Sequence, residues 1–249
     1  MVATSTPRQM TATAPWLFFA LTFALSWAVW IPAAVAGRPV SRAVLALGAF
    51  APSLVGIALV TWIGGPEQRI DFWKRVVTFR VITPGWYATV ILIFPVIMAA
   101  GFLVAALTRG SLPPLRSAGE TLTHPVVLLG FVITMLLGGP LAEELGWRGY
   151  ALDRLQHAWS PLGATFVLGG VWILWHLPLF YLRGTSQQLM GLGTVRSLVW
   201  AGQLLALTVL ITWVYNRTNR STLAAVLMHF FANATTTLVA GLGTPLPLR

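Results

Sequence analysis

The sequence predicts an all-α protein, a polytopic bundle of about seven to eight transmembrane helices. Hydrophobic residues make up 57% of the 249, charged residues only 9%, and the mean hydropathy is +0.78. Several apolar runs reach the roughly 20 residues that a helix needs to cross about 30 Å of hydrocarbon. The longest interruption between these runs is about twenty residues, too short for a separate domain. We therefore expect one integral membrane domain over residues 1–249.

Seven apolar segments are candidates for membrane spans. The first is followed by the small-residue stretch "AAVAG", a pattern that signal peptidases accept. Its apolar core is longer than that of a usual signal peptide and more spans follow, so we expect it to be retained. We expect the protein to lie in the cell membrane. The segments are 15–36, 43–64, 84–107, 125–142, 161–181, 195–215 and 221–240.

The segments between the spans carry the charge. The net charge is +10, but the Arg residues are scattered among loops, where contact with lipid headgroups explains them and nucleic acid is not an expected partner. Residues 66–81 place Ile70, Trp73 and Val77 on one helical face beside basic residues, as in an interfacial helix, and a solvated loop with a few aromatic residues is the alternative. Residues 108–124 are expected to form a connecting loop or flap. The chain has no Cys, which excludes disulfides and thiol chemistry.

Polar residues inside the spans call for a reason, because a charge at the bilayer centre costs about 2.5 to 3.5 kcal/mol. The chain has only six acidic residues, and Glu143 and Glu144 stand together in "GGPLAEELGWRGY". Glu144 and Arg148 are four residues apart and can pair on one helical face. Glu143 points about 100° away from Glu144. We therefore expect a structural role for Glu144 and a chemical role for an unpaired Glu143.

Two His residues also lie deep in predicted spans. If the fourth helix continues to about His157, Glu143 and His176 lie about 21 Å and 23 Å from the turn that joins their helices, and hence at the same level. His229 lies about 12 Å into the last span, and Asn233 follows it on the same face. These residues predict a buried polar cluster.

The cluster contains the groups that amide hydrolysis requires. Glu143 can take a proton from water that His176 holds, while His229 and Asn233 can donate to the oxyanion. An alternative uses Glu143, His176 and His229 as ligands of a metal such as zinc, with a position left for water. The metal alternative has no H-E-x-x-H motif to support it.

Three motifs resemble those of the type II CAAX prenyl endopeptidase and bacteriocin-processing family, also called the CPBP or ABI family. They are "EELGWR" at 143–148, "WILWH" at 172–176 and "HFFAN" at 229–233, all within residues 125–240. The resemblance implies an intramembrane protease of glutamate type or metallo type, acting on a peptide or protein substrate that is prenylated in some members. It implies that Glu143, His176, His229 and Asn233 are catalytic and that Glu144 and Arg148 support them. Trp172 stands where the family more often has Phe, and keeps an aromatic wall.

A non-catalytic membrane protein is the alternative function. The same polar cluster could relay protons or ions in a transporter. It could also bind a peptide without cutting it, as a scaffold or a bacteriocin immunity protein would. The presence of the base, both His residues and the Asn favours the enzyme.

Overall fold

The computed structural model describes residues 14–110 and 121–240, and these residues contain no β-strand. The loop predicted at 108–124 falls largely outside them. The α-helices are α1 (Ala14–Val35), α2 (Arg42–Ala49), α3 (Ala51–Trp62), α4 (Pro66–Val77), α5 (Pro84–Arg109), α6 (Pro125–Leu137), α7 (Pro140–Gly146), α8 (Asp153–Ala158), α9 (Pro161–Trp175), α10 (Ser186–Met190), α11 (Val195–Arg217) and α12 (Thr222–Ala240). A π-helical segment, Trp147–Leu152, joins α7 to α8.

Seven helical stretches within the described residues are long and apolar enough to cross a membrane, which confirms the all-α transmembrane prediction. Two of them combine several elements: Arg42–Trp62 contains α2 and α3, and Pro125–Ala158 contains α6 to α8. Many large apolar side chains on these stretches are exposed, such as Leu103 at 60% and Val126 at 85%. Hydrocarbon is the solvent that suits such surfaces. The chain is therefore an integral membrane protein.

The fourth span is not the single regular helix that the depth argument assumed. The helix stops at Leu137, and α7 begins at Pro140 after two glycines. Pro140 lacks an N–H donor and suits the first position of a helix. This break places Glu143 in the first turn of α7. The chain then continues to Ala158, as the depth argument required.

Helix α7 lies at the centre of the bundle, packed between α3 and α12. A Cβ on Gly146 would collide with the carbonyl group of Pro52, so the glycine permits the close approach of α3. The hydroxyl of Ser53 donates to the Leu141 carbonyl at 2.8 Å. Helix α9 packs on α11, which packs on α12, and α12 also contacts α5. These contacts bring the three predicted motifs to one region.

Helix α4 has two unlike faces, as its sequence predicted. Ile70, Trp73 and Val77 are exposed, while Phe72 and Arg75 are buried against the bundle. The exposed apolar residues suit an interfacial position at the membrane surface. The buried face attaches α4 to the segment that follows the two glutamates.

Candidate active site

Glu143 is 6% exposed and faces α9. The indole Nε1 of Trp172 donates a hydrogen bond to Oε2 of Glu143 at 2.7 Å. Trp172 lies one helical turn before His176, so the contact agrees with the expected match in depth between Glu143 and His176. The expectation that Glu143 has no partner is wrong in one respect: one of its oxygens is already held by the indole.

Glu144 and Arg148 form the predicted pair, and both side chains are fully buried. Nη1 of Arg148 donates to both carboxylate oxygens of Glu144, at 2.8 Å and 3.0 Å. Glu144 also lies 2.8 Å from Nδ1 of His229 through its Oε1. The purely structural role expected for Glu144 is therefore incomplete, because this carboxylate directly orients the imidazole of the last motif.

Three functional groups converge beside Gly139, in the break before α7. The point where a Cβ would stand on Gly139 lies 3.0 Å from Nδ2 of Asn233, 3.4 Å from Nε2 of His229 and 3.5 Å from Oε1 of Glu143. Because Gly139 has no side chain, no methyl group comes between these three polar atoms. His229 and Asn233 thus share a face of α12, as their spacing predicted.

His176 lies one helical turn after Trp172, and its ring centroid is 6.1 Å from that of Trp172. Its Nδ1 is 2.8 Å from the carbonyl oxygen of Trp172, so Nδ1 carries the proton and Nε2 is left as an acceptor in the neutral ring. The imidazole packs against Trp175 and Trp200, with ring centroids 4.8 Å and 5.3 Å away. Within the described residues, no hydrogen bond joins His176 to Glu143.

The π-helical segment contains Arg148 and is hydrogen-bonded to α4 through Arg75. A π-helix bonds residues five apart, which changes the normal i to i−4 pattern of carbonyl acceptors. Nη2 of Arg75 donates to the Gly149 carbonyl at 3.0 Å. The same guanidinium donates to the hydroxyl of Tyr215 at 2.8 Å and to Asp71 at 2.9 Å. Arg75 therefore connects the interfacial helix to the residue that follows Arg148.

Sequence reasoning missed three of these features. Trp172 was expected to be only an aromatic wall, and the structure shows it as a hydrogen-bond donor. Gly139 was not singled out, although the "GGP" at 138–140 predicts a helix break directly before the two glutamates. Arg75 carried no sequence signal, because its partners lie on distant elements.

The hydrogen bonds define what each imidazole can do. His229 directs Nδ1 at a carboxylate, so Nε2 accepts when the ring is neutral and donates only when the ring is an imidazolium. Asn233 offers an amide N–H at the same point without any charge.

The expected metal ligands do not fit one ion in this arrangement. Glu143 and His229 approach a common point, and His176 does not provide one of the three atoms nearest to that point. Across 14–110 and 121–240, no group of three or more His, Asp or Glu side chains is placed to hold a metal ion. The described residues therefore offer no complete three-residue metal site.

Comparison with known proteins supports the motif assignment. Residues 125–235 match the family model described as type II CAAX prenyl endopeptidase Rce1-like. The chain is 27% identical over 237 residues to a protein named CAAX prenyl protease 2 from Methanococcus maripaludis, covering 91% of this chain and 85% of that relative. The matched region contains all three motifs and every residue of the cluster around Gly139. The motifs, the transmembrane helices and these similarities agree, and residues 125–235 are similar to the type II CAAX prenyl endopeptidases described as Rce1-like.

Proposed function

We propose that the protein is an intramembrane endopeptidase of the CAAX-protease class that hydrolyses a peptide bond near the membrane. The observation that carries the proposal is the convergence of Glu143, His229 and Asn233 beside Gly139. A carboxylate, an imidazole and an amide around one small space supply a base and two hydrogen-bond donors. Packing alone does not require that combination in a bilayer.

In this proposal Glu143 activates the water. Trp172 occupies Oε2 of Glu143, so Oε1 is the oxygen available to accept a proton from water. Nε2 of His176 accepts a hydrogen bond from the second hydrogen of that water. With both hydrogens held, an oxygen lone pair of the water is directed at the substrate carbonyl.

The negative charge then develops on the carbonyl oxygen of the substrate. Nδ2 of Asn233 and the protonated Nε2 of His229 donate to this oxyanion, and Glu144 stabilises the imidazolium through Nδ1. Collapse of the tetrahedral intermediate breaks the C–N bond, and Glu143 returns its proton to the leaving amine. The proton that remains on the new carboxyl group also passes to the amine, so the products are a carboxylate terminus and an ammonium terminus.

We propose a prenylated C-terminal peptide as the substrate. The relative's name, CAAX prenyl protease 2, describes an enzyme for such peptides. In C-a-a-X sequences the Cys carries the lipid, which brings the scissile bond to the membrane surface. A site within transmembrane helices suits a substrate anchored in this way. We place the protein in the cell membrane.

We propose the glutamate mechanism over the zinc mechanism because an indole holds one oxygen of Glu143 and because the described residues contain no group of three His, Asp or Glu side chains placed to hold a metal ion. Purified protein treated with a strong chelator should keep at least half of its activity. Complete loss of activity, restored by zinc, would replace the glutamate mechanism with the metal alternative.

The proposal is tested with Glu143→Gln in purified protein. The substrate is an internally quenched peptide that ends in a farnesylated Cys and three further residues. We expect cleavage to fall by at least about a thousandfold, as when an essential catalytic group is removed, while the variant stays folded in detergent. Glu67→Gln makes the same chemical change at an exposed position of α4 and should keep full activity. Cleavage by Glu143→Gln at the wild-type rate would contradict the assignment of the base, and a wild type that binds the peptide without cutting it would favour the non-catalytic alternative.

A further inference from the structure

The Trp172 side chain on α9 contacts Glu143, both imidazoles and Arg148. It is 1% exposed. Its ring centroid lies 5.3 Å from that of His229 and 6.1 Å from that of His176. The guanidinium carbon of Arg148 lies 4.7 Å from the indole ring. The ring therefore fixes the spacing between the two imidazoles and the buried cation.

The indole has a single N–H, and it is used on Glu143. An indole is a donor only, so this bond has one direction. A Glu side chain ends in a torsion with a broad energy minimum, and nothing intrinsic to the side chain selects which oxygen faces Gly139. The 2.7 Å bond to Oε2 fixes that rotation, and Oε1 then lies near Nε2 of His229 and Nδ2 of Asn233.

We infer that Trp172 is a positioning residue for the hydrolysis, which holds one carboxylate oxygen of Glu143 so that the other faces the reacting water. This inference rests on the proposed function, because it assigns a role within the same site. Trp172 itself touches neither water nor the scissile bond. Its contribution is to the orientation of the base, and so to the chemical step and not to substrate affinity.

The inference is tested with Trp172→Phe, measuring kcat and KM separately on the farnesylated peptide. Phenylalanine keeps an aromatic ring against the imidazoles but cannot donate. We expect kcat to fall about 10- to 100-fold, the effect of losing a hydrogen bond to a charged group, with KM within about threefold of wild type. Trp30→Phe is the matched control, because Trp30 is equally buried at 1% and its Nε1 has no hydrogen-bond partner in the described structure. The control should keep kcat within about threefold.

A second variant removes the N–H without changing the shape of the ring. Incorporation of 3-benzothienylalanine at 172 replaces the N–H by sulfur and should lower kcat as Trp172→Phe does, even if the smaller phenyl ring disturbs packing. If wild type is active, Glu143→Gln is inactive and the benzothienyl protein keeps wild-type kcat, the inference about Trp172 is overturned while the proposed function stands. If wild type is inactive or Glu143→Gln is active, the proposed function fails and this inference fails with it.

Discussion

The ion pair between Glu144 and Arg148 gives the most quantitative prediction of the structure. Both side chains are fully buried, and of the guanidinium nitrogens only Nη1 has a hydrogen-bond partner among the described residues. Glu144→Gln keeps the shape but removes the charge, which leaves a buried cation uncompensated. Breaking a buried pair in this way costs about 3 to 5 kcal/mol. We expect a loss of this size in the free energy of unfolding in detergent.

The double variant Glu144→Gln, Arg148→Met separates stability from function. Removing both charges and filling the volume with an apolar side chain is often neutral or stabilising. We therefore expect the double variant to regain most of the free energy of unfolding that Glu144→Gln loses. It should not regain activity, because Nδ1 of His229 still lacks an anionic partner.

The assay pairs equilibrium unfolding in mixed micelles with single-turnover cleavage of the farnesylated peptide. Two results would contradict these expectations for Glu144 and Arg148. One is a loss below about 1 kcal/mol in Glu144→Gln, the value of an exposed pair. The other is recovery of activity together with stability in the double variant, which would mean that Glu144 acts on the site only by neutralising Arg148.

Two further predictions concern the frame around the site and the oxyanion. Arg75→Met removes the donor to the Gly149 carbonyl and should lower the free energy of unfolding by about 2 to 4 kcal/mol, since hydrogen bonds of a charged group are worth about 1.5 to 3 kcal/mol each. Arg80 is exposed, so Arg80→Met should change the free energy of unfolding by less than about 0.5 kcal/mol. Equal losses in the two variants would contradict the role of Arg75. Asn233→Asp puts an anion where negative charge develops and should lower kcat about 100- to 1000-fold. Asn219 lies in an exposed turn, so Asn219→Asp should leave kcat unchanged. An unchanged kcat in Asn233→Asp would remove Asn233 from the oxyanion site.

Local periodicity accounts for much that could be predicted from the sequence. Apolar length alone indicated the seven spans within the described residues. The four-residue spacing predicted the pair of Glu144 with Arg148 and the shared face of His229 with Asn233, because one helix carries each pair. The match in depth between Glu143 and His176 needed only helix rise and a short turn.

The contacts that could not be predicted all join residues on different helices. Which rotation each helix adopts decides that Nδ1 of His229 meets Glu144 and that the Trp172 indole meets Glu143. No spacing in the sequence encodes these rotations, since they follow from packing across the bundle. The bond from Arg75 to Gly149 further depends on the π-helical segment, whose altered ladder has no clear sequence signal.

Gly139→Ala tests whether Glu143, His229 and Asn233 act together. The added methyl group would lie 3.0 Å from Nδ2 of Asn233, 3.4 Å from Nε2 of His229 and 3.5 Å from Oε1 of Glu143, so it would come between these groups. We expect kcat/KM to fall at least about 100-fold in a protein that still folds in detergent. Gly130→Ala in the same span meets nothing within 4 Å and should stay fully active. Equal activity of the two variants would mean that the reacting water lies elsewhere, which would contradict the assignment of Glu143, His229 and Asn233 to one site.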